Sequence, residues 1–326
     1  MSVVRAIQIE RTGGPEVLTP VILPDPEPGP GQVRIRHGAV GLNFVETYHR
    51  SGLYPMALPK VLGQEAAGVI DAIGEGVTRF HVGERAGYVA GSSGAYAEMA
   101  VIDQAKAIRL PAFISDDTAA AVLLKGLTAE MLVRRCYQLM PGQTALIHAA
   151  AGGVGGLLVQ WAKLIGATVI ATAGSPEKIA IAKAHGADHV LSYDEPGWAD
   201  QVRALTGGAG VQVVYDAVGK STVDGSLKSL AKRGSLIIYG GASGPVPPID
   251  PLALMRGGSL YLTRPTLFDY VADMVEMDEA AEALFAVMKS GAVMAPIGQR
   301  FALKDAADAH RALEARQTTG STLLIP

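Results

Sequence analysis

The sequence has a single cysteine, Cys136, among its 326 residues. One cysteine excludes an intrachain disulfide and any metal site built from several cysteines, and it is typical of a reducing compartment. The opening segment MSVVRAIQIERTGG lacks the apolar core of a signal peptide. No apolar run reaches the roughly 20 residues that span a bilayer. We therefore expect a cytoplasmic protein that does not contact a membrane.

The sequence also lacks an excess of basic residues. It has 28 Lys and Arg against 31 Asp and Glu, a formal net charge of -3. A broad nucleic-acid surface needs clustered Lys and Arg, so no nucleic-acid partner is expected. What the chain does have is 49% hydrophobic and 18% charged residues, the balance of a well-packed folded protein. Its length exceeds that of one ordinary core and predicts two domains.

The pattern of apolar residues divides the chain. The first third has short apolar stretches broken by glycine and proline, such as GQVRIRHGAVGL, which predict an irregular antiparallel β region. From residue 141 onward, apolar strands alternate with helical patterns. Strands are predicted at 144–150, 167–173, 189–193, 211–219, 234–240 and 259–265, with helices such as 154–166 and 176–186 between them. This alternation predicts an α/β fold with a doubly wound, parallel, six-stranded sheet.

The last sixty residues predict two helices and a strand. The acidic residues Asp278 and Glu279 are expected to open a helix that Gly291 ends, and 303–316 predicts a second helix. The final STLLIP reads as a strand, which needs a partner in a sheet, and the N-terminal β region is the natural one. We therefore predict a discontinuous domain, 1–124 with 268–326, and a second domain at 125–267.

The stretch HAAAGGVGG, 148–156, contains the pattern Ala150-x-Gly152-x-x-Gly155. It follows a predicted strand and opens a predicted helix, which is the context of a dinucleotide-binding turn. Gly152 would let the backbone approach a pyrophosphate and Gly155 would let the helix pack near the strand, with Gly153 and Val154 in the first turn. The alternative is a glycine turn used only for packing.

The end of the second strand bears on which dinucleotide is bound. An Asp or Glu about 20 residues after the turn would hold the ribose of NAD, but here the strand ends ATAGSPEK, with Gly174 and Ser175. Ser175 can donate a hydrogen bond, Lys178 adds positive charge, and Tyr193 ends the third strand nearby. These residues favour NADPH over NADH. Lys178 could instead be a solvated lysine and Tyr193 a packing residue.

Taken together, the motifs resemble the zinc-independent quinone oxidoreductase (zeta-crystallin-like) branch of the medium-chain dehydrogenase/reductase superfamily. The similarity covers essentially the whole chain and is carried by GGPEVL (13–18), GLNFVETYHRSGLYP (41–55), LGQEAAG (62–68), LLKGLTAEMLV (123–133), HAAAGGVG, VVYDAVG (213–219), GSLYLTRPTL (258–267) and GSTLLIP. The resemblance implies a GroES-like β-rich catalytic domain, a Rossmann NADPH-binding domain, and reduction of a quinone.

The resemblance also bears on metal chemistry. Zinc-dependent members of the superfamily hold catalytic zinc at positions where this sequence carries Asn43, Gln64 and Lys125. Two amides and a cation do not replace the thiolate, imidazole and carboxylate donors that zinc prefers. We therefore expect NADPH but no zinc, and an acceptor that is electrophilic without a metal, such as a quinone or a conjugated enone.

The resemblance implies a site in the cleft between the domains, where Asn43, Tyr48 and Tyr54 line a pocket beneath the nicotinamide. Asn43 would hydrogen-bond an acceptor oxygen or position the nicotinamide, Tyr48 would supply a hydroxyl near the acceptor carbonyl, and Tyr54 would stack on the flat ring or gate it. Alternatively, this segment is a surface loop anchored by its tyrosines. The further cofactor residues that the resemblance implies are Thr128, Tyr239, Arg264 and Arg316, of which the two arginines could instead be structural; Lys125 could contact the cofactor or form an ion pair.

Other functions remain open from the sequence. A reductase of conjugated alkenals or enones would use the same scaffold and the same cofactor. A non-catalytic NADPH-binding or RNA-binding protein, like some related crystallins, is the alternative from another class. The apolar sixth strand at a sheet edge predicts a homodimer.

Overall fold

The computed structural model describes residues 2–91 and 94–326. Along these residues the strands are β1 (Val3–Ile9), β2 (Thr19–Pro24), β3 (Gln32–Leu42), β4 (Lys60–Val61), β5 (Glu65–Ile73), β6 (Arg85–Val89), β7 (Met99–Asp103), β8 (Ala107–Arg109), β9 (Thr144–Ile147), β10 (Thr168–Ala173), β11 (His189–Ser192), β12 (Val211–Asp216), β13 (Leu230–Ile238), β14 (Tyr261–Thr263), β15 (Ile297–Ala302) and β16 (Ser321–Ile325). The helices are α1 (Phe44–Ser51), α2 (Asp116–Glu130), α3 (Gly153–Ile165), α4 (Pro176–Ala184), α5 (Trp198–Leu205), α6 (Val223–Ser229), α7 (Pro251–Arg256), α8 (Leu267–Tyr270), α9 (Met274–Lys289) and α10 (Ala306–Glu314).

The chain forms two compact units. The first consists of residues 1–127, 271–285 and 295–326, and the second of residues 128–270 and 286–294. The predicted domain bounds, 1–124 with 268–326 and 125–267, stay a prediction.

The first unit is built from two β-sheets. A three-stranded sheet has the order β2-β1-β4, and a larger sheet has the order β15-β16-β3-β5-β6-β8, with β7 also paired to β3. Most pairs are antiparallel, as the turn-broken sequence of the first third predicts. The final strand β16 lies between β15 and β3 and pairs antiparallel with β3. The expectation that STLLIP completes the N-terminal sheet is therefore confirmed.

The second unit contains a parallel six-stranded sheet of order β11-β10-β9-β12-β13-β14. This is the strand order of a doubly wound dinucleotide-binding fold. The central strand β9 reads as a continuous apolar run because Ala145, Leu146 and Ile147 are completely buried. All six strands lie where the sequence predicts them, and the predicted α/β architecture is confirmed.

Helix α9 corrects one boundary. The sequence predicted a start at Asp278, but the helix begins at Met274. The carboxylate of Asp273 accepts hydrogen bonds from the N–H groups of Val275 and Glu276, each at 2.9 Å, and so caps the helix one turn earlier. The predicted helix 303–316 is also shorter, with a 3₁₀ turn at Leu303–Asp305 followed by α10.

No helix among the described residues is both long enough and apolar enough to cross a membrane.

Candidate active site

A glycine-rich turn joins β9 to α3 in the second unit. Gly152 caps α3 with extended backbone, φ −78° and ψ 170°, and Gly153 and Val154 form the first turn. The first N–H groups of a helix lack intrahelical partners and carry the positive end of the helix dipole. A Cβ on Gly152 would approach only the carbonyl oxygen of Ala149, at 3.1 Å, whereas a Cβ on Gly155 would overlap that oxygen. The turn is therefore open at Gly152 and packed at Gly155, as a pyrophosphate site requires.

A buried polar network holds this turn to the sheet. The Nδ1 atom of His148 lies 2.7 Å from Thr172 Oγ1, and Nε2 lies 3.0 Å from Ser226 Oγ. Ser226 and Thr222 both donate to the carboxylate of Asp216, which also accepts two main-chain N–H groups of the turn after β12. Burial lowers the pKa of His148, so the imidazole is neutral at pH 7. The network fixes the start of the glycine turn relative to two neighbouring strands.

The predicted ribose end of the site is compact. Tyr193 lies so close to Gly174 that a Cβ there would come within 2.7 Å of the Tyr193 hydroxyl oxygen. Ser175 is the N-cap of α4, and its Oγ accepts from the N–H of Lys178 at 3.3 Å. The pKa of Glu177 is lowered by its own backbone N–H and by the Ser175 hydroxyl. The four predicted residues Gly174, Ser175, Lys178 and Tyr193 therefore belong to one corner of the sheet.

Two further predicted residues lie at the carboxyl ends of neighbouring strands, Tyr239 after β13 and Arg264 after β14. Arg264 Nη1 donates to the main-chain carbonyls of Ile238, at 3.3 Å, and Gly240, at 2.9 Å. The Tyr239 hydroxyl is buried with no hydrogen-bond partner among the described residues, and burial raises its pKa. A buried hydroxyl without a partner costs free energy, which a ligand could recover.

The remaining predicted cofactor residues lie elsewhere. Thr128 is half-buried in α2, and Arg316 is exposed just after α10 with φ 58°. They belong to different units. Their contact with a cofactor stays a prediction.

In the first unit, Asn43 lies at the start of α1 within a buried polar cluster. Asn43 and Glu46 form a capping box in which Oε2 of the Glu46 carboxyl group accepts the Asn43 N–H at 2.5 Å. The side-chain Nδ2 of Asn43 donates to Glu65 Oε1 at 2.8 Å. Lys125 Nζ lies 3.0 Å from the same oxygen, and the Leu124 N–H donates to Glu65 Oε2 at 2.6 Å. The structure thus gives Lys125 the ion pair that the sequence left as one of two alternatives.

Within this cluster, the pKa of Glu46 is shifted. Its side chain is completely buried, and its Oε1 has no hydrogen-bond partner among the described residues. Burial, followed by the nearby charge of Glu65, raises its pKa from 4.5 to about 8. The Glu46 carboxyl group is therefore predominantly protonated at pH 7.

The predicted tyrosines form an aromatic group beside α1. Tyr48 and Tyr54 have ring centroids 5.2 Å apart in an edge-to-face arrangement, and Phe44 lies 5.5 Å from Tyr48. The main-chain N–H of Tyr54 donates to the carbonyl of Tyr48 at 3.1 Å. His49 packs against Tyr54, and its Nε2 lies 3.0 Å from Gln64 Nε2. The structure therefore brings Tyr48 and Tyr54 together on one helix and the loop that follows it.

The other end of α1 is held by Arg50. Its guanidinium donates to both carboxylate oxygens of Glu314, at 3.0 and 2.6 Å, and lies 3.0 Å from His310 Nδ1. His310 Nε2 lies 3.0 Å from the Tyr96 hydroxyl. Burial, followed by the charge of Arg50, lowers the pKa of His310 to about 3. Helix α1 is therefore fixed at both ends within its unit.

The three positions that zinc-dependent relatives use for metal are occupied by different chemistry. Asn43 and Lys125 both bind Glu65, and Gln64 contacts His49. Among the described residues, no group of three or more His, Cys, Asp or Glu side chains is arranged to hold a metal ion. The donor set at these positions does not fit zinc.

Sequence reasoning missed the buried carboxylates Glu46, Glu65 and Asp216. Each lies beside a recognised motif: Glu46 three residues after Asn43, Glu65 inside LGQEAAG, and Asp216 inside VVYDAVG. The Asn-x-x-Glu spacing was a readable capping signal. The partners of Glu65 and Asp216 come from separate elements, so spacing alone does not identify them.

A GroES-like β-rich unit combined with a Rossmann unit, whose glycine turn opens the first helix of the parallel sheet, defines a medium-chain dehydrogenase/reductase. Family models agree with this class. Residues 29–112 match the alcohol dehydrogenase GroES-like domain, and residues 153–264 match the zinc-binding dehydrogenase domain.

Individual relatives narrow the assignment. The chain is 48% identical over 323 residues to a quinone oxidoreductase of Pseudomonas aeruginosa, covering 99% of each chain. It matches the crystal structure of Escherichia coli quinone oxidoreductase complexed with NADPH with a TM-score of 0.96 and 42% identity, covering 99% of this chain and 100% of that one. It is 41% identical to a 2-haloacrylate reductase of a Burkholderia species, over 99% of each chain. The chain belongs to the zinc-independent quinone oxidoreductase branch of the superfamily.

Proposed function

We propose that the protein is an NADPH-dependent quinone reductase that transfers reducing equivalents from NADPH to a quinone without a metal. The observation that carries this proposal is the open glycine turn at Gly152, together with a sheet corner at Gly174 that has no carboxylate at the strand end. The NADPH carried by the Escherichia coli relative supports the cofactor. We also propose a cytoplasmic location, which rests on the single cysteine.

The residues present fit NADPH. The α3 N-terminus and Gly152 would bind the pyrophosphate, and Ser175, Lys178 and Tyr193 would surround the 2′-phosphate. The buried hydroxyl of Tyr239 would form a hydrogen bond with the cofactor. Bound NADPH would supply the reducing equivalents.

In the first unit, Asn43, Tyr48 and Tyr54 would act on the acceptor side of the reaction. Asn43 hydrogen-bonds an acceptor oxygen or positions the nicotinamide, Tyr48 offers a hydroxyl to the acceptor carbonyl, and Tyr54 packs against the flat ring. Water supplies the one proton that converts the hydroquinone anion to the hydroquinone, so no dedicated acid is assigned.

The direct test measures oxidation of NADPH, with NADH in parallel, against a para-quinone, an ortho-quinone and an unsaturated aldehyde, each with and without a chelator. We expect chelator-insensitive, quinone-dependent oxidation of NADPH. Quinone reduction that the chelator abolishes, or no oxidation with any acceptor, would contradict the proposal.

Reduction of a conjugated alkene is a second candidate, because a relative of 41% identity is a 2-haloacrylate reductase. Activity with the unsaturated aldehyde and none with either quinone would favour it. A non-catalytic NADPH-binding role would be favoured by NADPH binding with no oxidation, and an RNA-binding role by a gel shift that depends on NADPH.

Lys178→Ala tests the 2′-phosphate site. The substitution is expected to raise the Michaelis constant for NADPH roughly tenfold and to leave that for NADH unchanged, because only NADPH carries the phosphate. Lys183→Ala, an exposed lysine of the same helix, is the control. Equal effects of Lys178→Ala on both cofactors would remove this lysine from the phosphate site.

Tyr48→Phe tests the acceptor side. The ring contacts with Phe44 and Tyr54 remain, so NADPH affinity measured by fluorescence should not change. The turnover number with quinone should fall roughly tenfold if the hydroxyl stabilises the reacting carbonyl. Turnover equal to the wild type would reduce Tyr48 to a shape-determining residue.

We propose a homodimer formed through β14, the edge strand of the parallel sheet. Tyr261 and Leu262 on this strand are exposed, as is Met255 on the preceding helix α7. A second copy that pairs with this edge would cover these side chains. Light scattering at micromolar concentration should give about twice the chain mass of 33.8 kDa, and Leu262→Lys should give the monomer. A monomeric wild type would exclude the dimer.

A further inference from the structure

We infer that Glu65 is a positioning residue that sets the orientation of the Asn43 amide, an inference that rests on the proposed role of Asn43 at the acceptor site. The side chain of Glu65 accepts three hydrogen bonds from described residues. Asn43 Nδ2 and Lys125 Nζ reach Oε1, and the Leu124 N–H reaches Oε2. A carboxylate oxygen accepts a hydrogen bond from the N–H of a neighbouring amide and repels the oxygen of that amide.

This geometry selects one of the two orientations of the Asn43 side chain. With Nδ2 held by Glu65, the amide oxygen lies on the other side of the amide group, where the capping box pairs it with the main-chain N–H of Glu46, and the second Nδ2 hydrogen keeps a fixed direction. Rotation by 180° would place the Asn43 oxygen against the carboxylate. An amide that recognises the electron-accepting substrate through hydrogen bonds depends on such a fixed orientation, because its N–H group and its oxygen are not interchangeable.

The surroundings hold Glu65 itself in place. Its side chain is completely buried, and that of Lys125 is only 8% exposed. Gly41 makes room for it, because a Cβ at that position would overlap Glu65 Oε1 and the carbonyl oxygen of Ala120. Glu65 therefore ties the end of β3, the start of β5 and helix α2 to the side chain of Asn43.

Lys125 completes this arrangement. A buried carboxylate is costly unless it is paired and hydrogen-bonded, and Lys125 provides the opposite charge from α2. The Asn43 amide, the Glu65 carboxylate and the Lys125 ammonium group thus link positions 43 and 125. Zinc-dependent members of the superfamily carry metal ligands at these two positions. In this chain the crosslink orients a neutral hydrogen-bonding group.

The test exchanges the amide and the carboxyl group between positions 43 and 65. Asn43→Asp sets two carboxyl groups against each other, while aspartate remains a good N-cap for α1. Glu65→Gln presents an amide to donors on both sides. The double variant Asn43→Asp/Glu65→Gln exchanges the carboxylate and the amide, keeps the net charge beside Lys125, and restores a hydrogen bond between the two positions. Asp71→Asn is the matched control, because Asp71 lies on the same strand β5 as Glu65 and forms ion pairs with Arg34 and Arg36 of β3.

Two readouts separate orientation from structural support. Each single variant is expected to lower the unfolding temperature and to reduce kcat/KM for quinone at least roughly tenfold. The double variant is expected to recover part of the unfolding temperature, because the new amide nitrogen donates to the carboxylate at position 43 but still faces Lys125 Nζ. It is not expected to recover the activity, because the amide now lies at position 65. Asp71→Asn should keep the wild-type kcat/KM.

Three outcomes would overturn the inference. Recovery of activity in the double variant would show that either arrangement suffices, and wild-type activity in Asn43→Asp would show that the amide is not needed. A double variant no more stable than the weaker single variant would show that the two positions are not paired. If the wild type itself reduces no acceptor, the proposed function fails separately, and the unfolding temperatures alone decide the pairing.

Discussion

Gly152→Ala is expected to weaken NADPH binding on the order of 100-fold while the protein remains folded. The physical reason is that the new methyl group would meet only the carbonyl oxygen of Ala149 inside the protein, at 3.1 Å. The open side of Gly152 is the side from which a pyrophosphate must approach the N–H groups of α3. NADPH fluorescence measures the binding, and thermal unfolding measures the fold.

Gly155→Ala provides the contrast on the same turn. Its methyl group would overlap the carbonyl oxygen of Ala149, so this variant should lose stability first and binding as a consequence. Loss of NADPH binding without loss of stability therefore distinguishes a cofactor-binding glycine, as expected of Gly152, from a packing glycine such as Gly155. If Gly152→Ala binds NADPH as the wild type does, the turn serves only to pack α3 against the sheet.

Glu46→Gln is expected to make the protein more stable than the wild type at pH 8, with the advantage disappearing near pH 4.5. The folded pKa of Glu46 is raised to about 8 from 4.5, chiefly by burial. Between these values the folded chain holds a proton that the unfolded chain has released, so the wild type loses stability as pH rises. Glutamine does not titrate and still accepts the N–H of Asn43. The gap should widen by roughly 3 to 5 kcal/mol across this window.

Urea unfolding at several pH values measures this gap. The buried histidines act in the opposite direction: the pKa of His37 is lowered to about 4 by burial, so its contribution is lost as pH falls below 6.5. Comparing variant and wild type at each pH cancels that contribution. Glu282→Gln, the same substitution on an exposed face of α9, is the control. A pH-independent difference for Glu46→Gln would mean that Glu46 is ionised in the folded protein.

Local patterns predicted the elements that depend on neighbours in sequence. The strands of the parallel sheet were readable because burial on both faces makes them continuously apolar, as in Ala145 to Ile147. The glycine turn was readable because Gly152 and Gly155 follow a strand at a fixed spacing. The early start of α9 was missed because the acidic pair at 278 and 279 was a stronger signal than its actual cap, Asp273.

The polar clusters could not be read in the same way. Asp216 receives hydrogen bonds from Thr222 and Ser226, and Ser226 in turn contacts His148, nearly eighty residues earlier in the chain. Glu65 likewise joins residues from three elements. Such contacts are decided by how strands and helices pack, and no periodicity in the sequence records them. The predicted tyrosines came from the family resemblance, and their role stays a proposal.

The position of β16 has a consequence for how the protein is made. Ser321 to Leu324 are buried in this strand, which lies between β15 and β3, so the large sheet of the first unit cannot close until they have left the ribosome. Residues 128–270 of the second unit emerge long before that. The six strands of the Rossmann sheet can therefore pair during translation, whereas the edge of β3 at 40–42 stays unpaired, and so open to wrong pairing, until β16 has left the ribosome.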